Sequence, residues 1–246
     1  MSYLKRILAA LDLGEDPKDG PLPAMLAGLT VVTGLVDAIS YLSLGHVFVA
    51  NMTGNVVFLG FSAGGAPGFS VAGSILAVAA FLLGALVGGK SHGALRAHRG
   101  RILALTLYVQ VPLVFAAMVV ALVWPPGEGA SSDLPLILLL GLAMGLQNAA
   151  ARRLNVRDLT TTVLTMTLTG LAADALPAKG APAPRSSRRY VAIVAMFAGA
   201  LTGTLVERRF GVAPVLAVAL AVLLLASLAG ARLWSSTESW ALAPRQ

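Results

Sequence analysis

The chain has 246 residues, of which 57% are hydrophobic and 12% charged, and its formal net charge is +7. A soluble domain carries about 25% charged residues, so this composition leaves too little polar surface for an aqueous exterior. The sequence contains no cysteine and three scattered histidines, which leaves no basis for disulfides, iron–sulfur clusters or a metal site. We therefore predict a membrane protein without a cofactor.

Eight apolar segments follow a charged N-terminal tail. A helix crosses the hydrocarbon core with about 20 apolar residues, and runs free of Asp, Glu, Lys and Arg, such as 38–89, meet that requirement. Gly, Pro and charged residues separate the segments. In chain order they lie at residues 24–45, 47–63, 69–89, 102–124, 134–151, 159–173, 190–206 and 211–233. The pattern predicts an all-α, polytopic membrane helix bundle.

The two halves of the chain resemble each other, which indicates an internal repeat. At an offset of 111 residues Asp37 coincides with Asn148, and at an offset of 115 the stretch Gly84–Gly88 coincides with Gly199–Gly203. Segments one to four then correspond to segments five to eight. The predicted organisation is an N-terminal tail (1–23), a first repeat (24–124), a connecting loop (125–133), a second repeat (134–234) and a C-terminal tail (235–246).

Lys and Arg distinguish two topologies, because cytoplasmic loops carry an excess of both. If all eight segments cross, the repeats are parallel and each face of the membrane receives nine basic residues. If the second and sixth segments dip in and return, the repeats are inverted and the division is sixteen to two. We therefore expect six spanning helices in an inverted 3+3 repeat, two short broken or re-entrant segments and cytoplasmic termini. Eight spans in parallel repeats are the alternative, because residues 47–63 as one helix would be about 25 Å long.

Asp37 is the only acid within an apolar segment of the sequence. A charge at membrane depth costs at least about 2.5 kcal/mol, so Asp37 is expected to face the bundle interior or a water-filled cavity. Thr33 lies one helical turn earlier, on the same face. The acid is interpreted as a proton- or cation-coupling group, and the alternative is a structural acid that joins helices. In the second half Gln147 and Asn148 place neutral amides at the corresponding position.

The second segment carries Asn51, Thr53 and Asn55 around Gly54. A glycine permits a turn or a helix break, and the neighbouring polar groups can coordinate a solute or satisfy backbone freed by the break. In transporters with inverted repeats, broken segments form the binding site near the midplane. The alternative is that these side chains only join helices.

The sixth segment carries the run Thr160–Thr169, within which Thr162 and Thr165 share a helical face. These residues are predicted to line the opposing dip. Threonine hydroxyls often bond back to the preceding turn and bend the helix, and this structural role is the favoured interpretation.

Four glycines form small-x-x-x-small patterns, which let helix backbones approach closely. They are Gly84, Gly88, Gly199 and Gly203. Helix packing is the expected role, and a homodimer seam is the alternative.

The motifs around the first acid resemble those of a known family. The stretches Gly34–Asp37 and His46–Asn55, the latter ending in Asn-Met-Thr-Gly-Asn, resemble the YoaK family of small bacterial inner-membrane proteins. The resemblance covers residues 24–234 and includes Gly145–Asn148, but Met166 stands where a glycine is expected in the Thr-rich run. It implies a multi-pass protein of the bacterial inner membrane and no established activity.

The leading functional hypothesis is a secondary transporter of a small neutral or cationic solute, coupled to protons through Asp37. No Lys or Arg lies within a span to hold an anion. A channel or uniporter and a non-catalytic membrane partner protein are the alternatives. An enzyme is not expected, because acids are too few and dispersed for acid–base or metal catalysis. The expected partners are membrane lipids and the solute, and the basic loop at 90–101 lacks the aromatic platform of a nucleic-acid site.

Overall fold

The computed structural model describes residues 18–95, 98–127, 130–159, 164–173 and 187–242. Eight α-helices and one 3-10 helix lie in these ranges. The α-helices are α1 (Leu22–Ser43), α2 (Met52–Ala63), α3 (Val71–Ala94), α4 (Arg99–Val123), α5 (Ala130–Leu154), α6 (Leu164–Ala173), α7 (Ser187–Phe210) and α8 (Val212–Leu233), and the 3-10 helix is Ser239–Ala241. The predicted all-α fold is confirmed.

Six of the described helices are long and apolar enough to cross a membrane, namely α1, α3, α4, α5, α7 and α8. Each has 22 to 25 residues, and at about 1.5 Å per residue this length exceeds the roughly 30 Å hydrocarbon core. The 12 residues of α2 reach only about 18 Å. Six spans with two short helices are therefore confirmed as the architecture.

Three helices begin at residues that remove or satisfy an unpaired backbone N–H group of the first turn. Proline stands within the first turn of α1, where no backbone N–H partner is required. The Ser70 hydroxyl caps α3 by accepting the Gly73 N–H at 3.0 Å, and the His98 ring caps α4 by accepting the Arg101 N–H at 3.2 Å. Each cap satisfies a backbone donor that the helix itself leaves unpaired.

The long helices pack across the two halves of the chain. The most extensive contacts join α3 to α5, α1 to α7 and α4 to α8. The third helix of each half thus packs on the first helix of the other half, and the fourth helices pair with each other. This pattern is the same when the halves are exchanged, as the proposed repeat requires, while the duplication itself stays a prediction.

Two glycines at the centre of these contacts mark how closely the backbones approach. A Cβ atom at Gly34 would lie 2.4 Å from the carbonyl oxygen of Met196, and a Cβ atom at Gly145 would lie 2.0 Å from that of Phe81. Real Cβ contacts are essentially never below 3.0 Å, so neither position has room for alanine. The two contacts are related by the offsets of 111 and 115 residues found in the sequence.

Charged groups at one end of the bundle settle which segments cross. Arg99 donates to Asp19 Oδ1 at 2.7 Å and to the carbonyl of Leu154 at 2.8 Å, while Arg188 donates to Asp19 Oδ2 at 2.9 Å. If α2 crossed, Asp19 and Arg99 would lie on opposite faces of the membrane. If α6 also crossed, Leu154 and Arg188 would be separated. The contacts fit six spans, and the eight-span alternative is wrong.

Candidate solute and ion site

The polar face of α1 is turned into the bundle, as predicted. Thr30, Thr33, Asp37 and Ser40 are between 0% and 5% exposed. The Thr33 hydroxyl donates to the Leu29 carbonyl oxygen at 3.0 Å, which satisfies it within its own helix. The Asp37 carboxylate has only acceptor atoms when ionised, so its donors must come from elsewhere.

Those donors come from the irregular segment at residues 44–51, which connects α1 to α2. The Ala50 N–H donates to Asp37 Oδ1 at 3.0 Å, and the Asn51 side-chain amide donates to Asp37 Oδ2. Val47 and Val49 are fully buried and anchor the segment in the core. Among the described residues, no Lys, Arg or His forms an ion pair with Asp37. Neutral donors of the irregular segment therefore bind both carboxylate oxygens of Asp37, and these bonds fix the segment against α1.

Asn55 folds the same segment back onto α2. Its Oδ1 accepts the Phe48 N–H at 2.8 Å, and its Nδ2 donates to the Phe48 carbonyl oxygen at 2.6 Å. Gly54 lies under the Phe48 ring, where a Cβ atom would come within 2.5 Å of a ring carbon. The break thus lies before α2 and not at Gly54, which is helical. The glycine is required for the approach of the ring.

Aromatic side chains cover the irregular segment, a feature that the sequence analysis missed. The ring centroids of Tyr41 and Phe48 are 5.2 Å apart, those of Phe48 and Phe58 are 5.8 Å apart, and those of Phe58 and Phe69 are 5.1 Å apart. His46 lies edge-on to Tyr41 at 5.1 Å. These rings come from three separate stretches of sequence, so their periodicity along the chain gives no signal.

Three threonines of the two short segments were predicted to line the site, and the structure describes two of them. Thr53 and Thr165 are exposed, and neither is brought to Asp37. The Thr169 hydroxyl bonds back to the Thr165 carbonyl oxygen at 2.9 Å, which is the structural role favoured for this run. Thr162 lies outside the described residues.

The amides predicted in the second half are separated by the structure. Gln147 is fully buried, and its Nε2 donates to Thr33 Oγ1 at 2.9 Å, which joins α5 to α1. Asn148, the counterpart of Asp37, donates to the Met144 carbonyl oxygen of its own helix at 2.9 Å. Only Gln147 therefore reaches the polar face of α1.

Gln110 completes this polar contact and was missed from the sequence. Its Nε2 donates to Gln147 Oε1 at 2.7 Å, and its own Oε1 has no partner among the described residues. The only available signal was a lone glutamine in the uncharged run 102–127. A single amide does not reveal its partner without the fold.

The four predicted packing glycines lie at contacts between helices of the same chain. A Cβ atom at Gly84 would lie 2.2 Å from the Leu142 carbonyl oxygen, and one at Gly199 would lie 2.3 Å from that of Val31. Gly88 and Gly203 lie one turn further along the same two contacts. A homodimer would have to use a different surface from this one.

A cleft of about 220 Å³ adjoins the irregular segment at the ends of α1 and α5. It is lined by Leu44 and Gly45 on one side and by Asp133 and Ile137 on the other. Within the described ranges no three His, Asp or Glu side chains lie together as metal ligands.

A model of the family described as "Protein of unknown function (DUF1275)" matches residues 25–229. The chain belongs to this family. Over 154 residues the chain is 36% identical to the UPF0700 transmembrane protein YoaK of Bacillus subtilis (strain 168), a match that covers 61% of this chain and 65% of that protein. No solved structure matches the chain significantly. The resemblance drawn from the motifs is confirmed, and this member of an uncharacterised family is a membrane protein.

Proposed function

We propose that this chain is a secondary transporter of a small neutral or cationic solute in the bacterial inner membrane, coupled to protons through Asp37. One observation carries the proposal. A buried acid without a basic partner among the described residues holds an irregular backbone segment within the bundle through both of its oxygens. Intramembrane acids of this kind mark ion and substrate pathways in transporters.

The hydrogen bonds of Asp37 couple its charge to the position of the segment. The ionised carboxylate accepts from Ala50 and Asn51. Protonation turns one oxygen into an O–H donor, which no longer suits the N–H group that faces it. A cationic solute would compete for the same oxygens. Either event weakens the hold of Asp37 on residues 44–51 and favours a rearranged segment.

The substrate class follows from the charges around the site. The Lys and Arg side chains lie outside the predicted spanning segments, except for Arg232 in the last turn of α8. Arg99 and Arg188 are already bound to Asp19. A strongly anionic solute would therefore lack a counter-charge near Asp37, whereas neutral and cationic solutes would not.

The proposal is tested by solute uptake into proteoliposomes under an imposed proton gradient. We expect one or more neutral or cationic solutes to accumulate, and we expect Asp37→Asn to abolish accumulation while the protein stays folded. Thr53→Val is the matched control, because Thr53 is exposed and close to Asp37 in sequence. Accumulation by Asp37→Asn equal to that of the original chain would contradict proton coupling.

The same assay distinguishes the alternatives. Downhill flux that is unchanged in Asp37→Asn would indicate a channel or uniporter. Absence of flux for every solute would favour a non-catalytic membrane partner protein. No enzymatic reaction is proposed, because no arrangement of residues at this site favours one.

A further inference from the structure

We propose that Arg101 and Arg232 bind the phosphate headgroup of an anionic phospholipid at the cytoplasmic end of the contact between α4 and α8. The lipid site consists of these two arginines, the backbone contact beside them and two exposed aromatic rings. It lies at the opposite end of the bundle from the segment at residues 44–51, and it does not depend on the proposed transport function.

Helices α4 and α8 touch backbone to backbone at this end. A Cβ atom at Gly100 would lie 2.3 Å from the carbonyl oxygen of Leu233, so the approach requires glycine. Arg101 directly follows Gly100 in the chain, and Arg232 directly precedes Leu233. The close approach of the two backbones therefore brings two cations to the same seam.

No acid neutralises these two cations in the described part of the chain. Both arginines are exposed, and neither forms an ion pair with a described residue. Arg101 Nε donates to the Trp234 carbonyl oxygen at 3.2 Å, which fixes the guanidinium at the seam and leaves its two terminal nitrogens for another acceptor. Glu238 of the C-terminal tail accepts from the Trp240 indole. Two like charges at one seam repel each other, and a phosphate that accepts from both relieves the repulsion.

The helix faces that carry the arginines are turned to lipid. On α4, Arg101 and Tyr108 are seven residues apart and share a face. On α8, Leu225, Leu228 and Arg232 recur at spacings of three and four. All five side chains are exposed, and both helices are long and apolar enough to cross a membrane. Two neighbouring lipid-facing stripes therefore each end in an arginine beside the backbone contact.

Two aromatic rings mark the depth of the membrane interface at this seam. Tyr108 is 48% exposed and Trp234 is 39% exposed, and their ring centroids are 6.5 Å apart. Seven residues of helix place Tyr108 about 10 Å from Arg101 along α4. Exposed Tyr and Trp rings concentrate at the boundary between headgroups and acyl chains. The arginines thus lie at the level of the phosphates, and the acyl chains of the bound lipid lie along the rings and leucines.

The combination of charge and apolar surface favours a lipid over a soluble anion. A soluble anion would contact the arginines alone, whereas a lipid also covers the exposed rings and leucines below them. Basic groups between transmembrane helices on the cytoplasmic side bind anionic headgroups. A zwitterionic headgroup carries a cation next to its phosphate, which two arginines repel.

The test is thermal unfolding of the full chain in a neutral detergent with added phosphatidylglycerol, phosphatidylcholine or glycerol phosphate. At about 100 times its Kd, phosphatidylglycerol should raise Tm by about 5–10 °C. Phosphatidylcholine and the water-soluble glycerol phosphate should raise it little. Arg101→Gln combined with Arg232→Gln should remove most of the gain. Without added lipid this double variant should unfold near the temperature of the original chain, because both side chains are exposed.

Arg208→Gln combined with Arg209→Gln is the matched control. These exposed arginines are also neighbours at the end of a spanning helix, but they lie at the predicted outer end of α7 beside Glu207. The control removes the same charge and should keep the full gain from phosphatidylglycerol. An equal loss of the gain in both double variants would overturn the proposal. Equal stabilisation by phosphatidylcholine, or by glycerol phosphate, would overturn it as well.

Trp234 supplies a second measurement if the double variant does not give monodisperse protein. In Trp124→Phe two tryptophans remain, of which Trp234 is exposed and Trp240 is buried. Phosphatidylglycerol brominated on its acyl chains should quench the fluorescence in a saturable manner, and unlabelled phosphatidylglycerol should restore it. Quenching of the same strength by brominated phosphatidylcholine would show that the seam does not select an anionic lipid.

Discussion

The two halves of the molecule share their packing contacts but differ in their polar chemistry. Gly34 and Gly145 make equivalent backbone contacts, and so do Gly84 and Gly199. At the position one turn further along the first helices, however, one half has an acid and the other has an amide. Close backbone packing tolerates no side chain and is the same in both halves, whereas the polar side chains one turn away differ between the halves.

Asp37 and Asn148 also differ in their hydrogen-bond partners. Asp37 receives its hydrogen bonds from an irregular segment outside its helix. Asn148 donates to the carbonyl oxygen of Met144, one turn earlier in its own helix. In the first half the acid thus joins its helix to the segment at 44–51, and the second half supplies Gln147, which donates to Thr33 on the same helix.

The largest effect is expected at the end of the bundle where Asp19, Arg99 and Arg188 meet. Replacement of Arg99 by Met leaves Asp19 with Arg188 alone and removes the donor to the Leu154 carbonyl. Loss of one partner of a buried ion pair costs about 3–5 kcal/mol, so the thermal midpoint in detergent should fall strongly. Arg101→Met is the control, because Arg101 is exposed. Equal effects of the two substitutions would show that the cluster does not hold the halves together.

A second prediction concerns the contacts that the halves share. Gly84→Ala and Gly199→Ala each place a Cβ atom within 2.3 Å of a carbonyl oxygen. Forced overpacking costs about 1–3 kcal/mol, and we expect both variants to lose similar amounts in thermal unfolding. Gly89→Ala has open space on α3, and it should be neutral or stabilising. Unequal losses at Gly84 and Gly199 would break the equivalence of the halves.

A third prediction tests whether the 44–51 segment depends on the first half alone. Asn55→Ala removes the side chain that pairs with both the N–H and the carbonyl oxygen of half-buried Phe48, which costs up to about 1–3 kcal/mol. The amides of the 44–51 segment should then exchange hydrogen faster in mass spectrometry. A matched change, Asn148→Ala, removes the second-half amide that donates to Met144 of its own helix, and it should leave exchange in this segment unchanged. Acceleration by both variants would mean that the halves are not independent.

The smallest effect is expected at the exposed threonines. Thr53→Val and Thr165→Val alter side chains that face away from the core, and surface changes of this kind are usually within about 0.5 kcal/mol. Thermal midpoints should therefore stay at that of the original chain. A marked loss from Thr53→Val alone would indicate an unrecognised contact of α2 with the site.

The sequence predicted the elements of this fold because composition and segment length determine which helices can cross a membrane. The sixteen-to-two charge division likewise predicted six spans, which the Asp19–Arg99 contact supports. The buried face of α1 followed from helical spacing, since four polar residues recur every three or four positions.

The contacts of the site were less predictable. The Asn51 bond to Asp37 joins residues 14 positions apart and Gln110 meets Gln147 across 37 positions. These pairings depend on how the irregular segment and the helices cross, and no local spacing encodes that. Arg99 appeared in the sequence as one of many topology-setting cations, and only the fold reveals that it is buried.

The position of α1 has a consequence for the synthesis of the protein. This helix is the most buried of the spans, yet its main partners, α7 and α8, are the last to leave the ribosome. Until they arrive, the face that carries Val31 and Gly34 has no permanent protein surface to cover it. Lipid or the insertion machinery must therefore cover this face of the first helix while most of the remaining protein is translated.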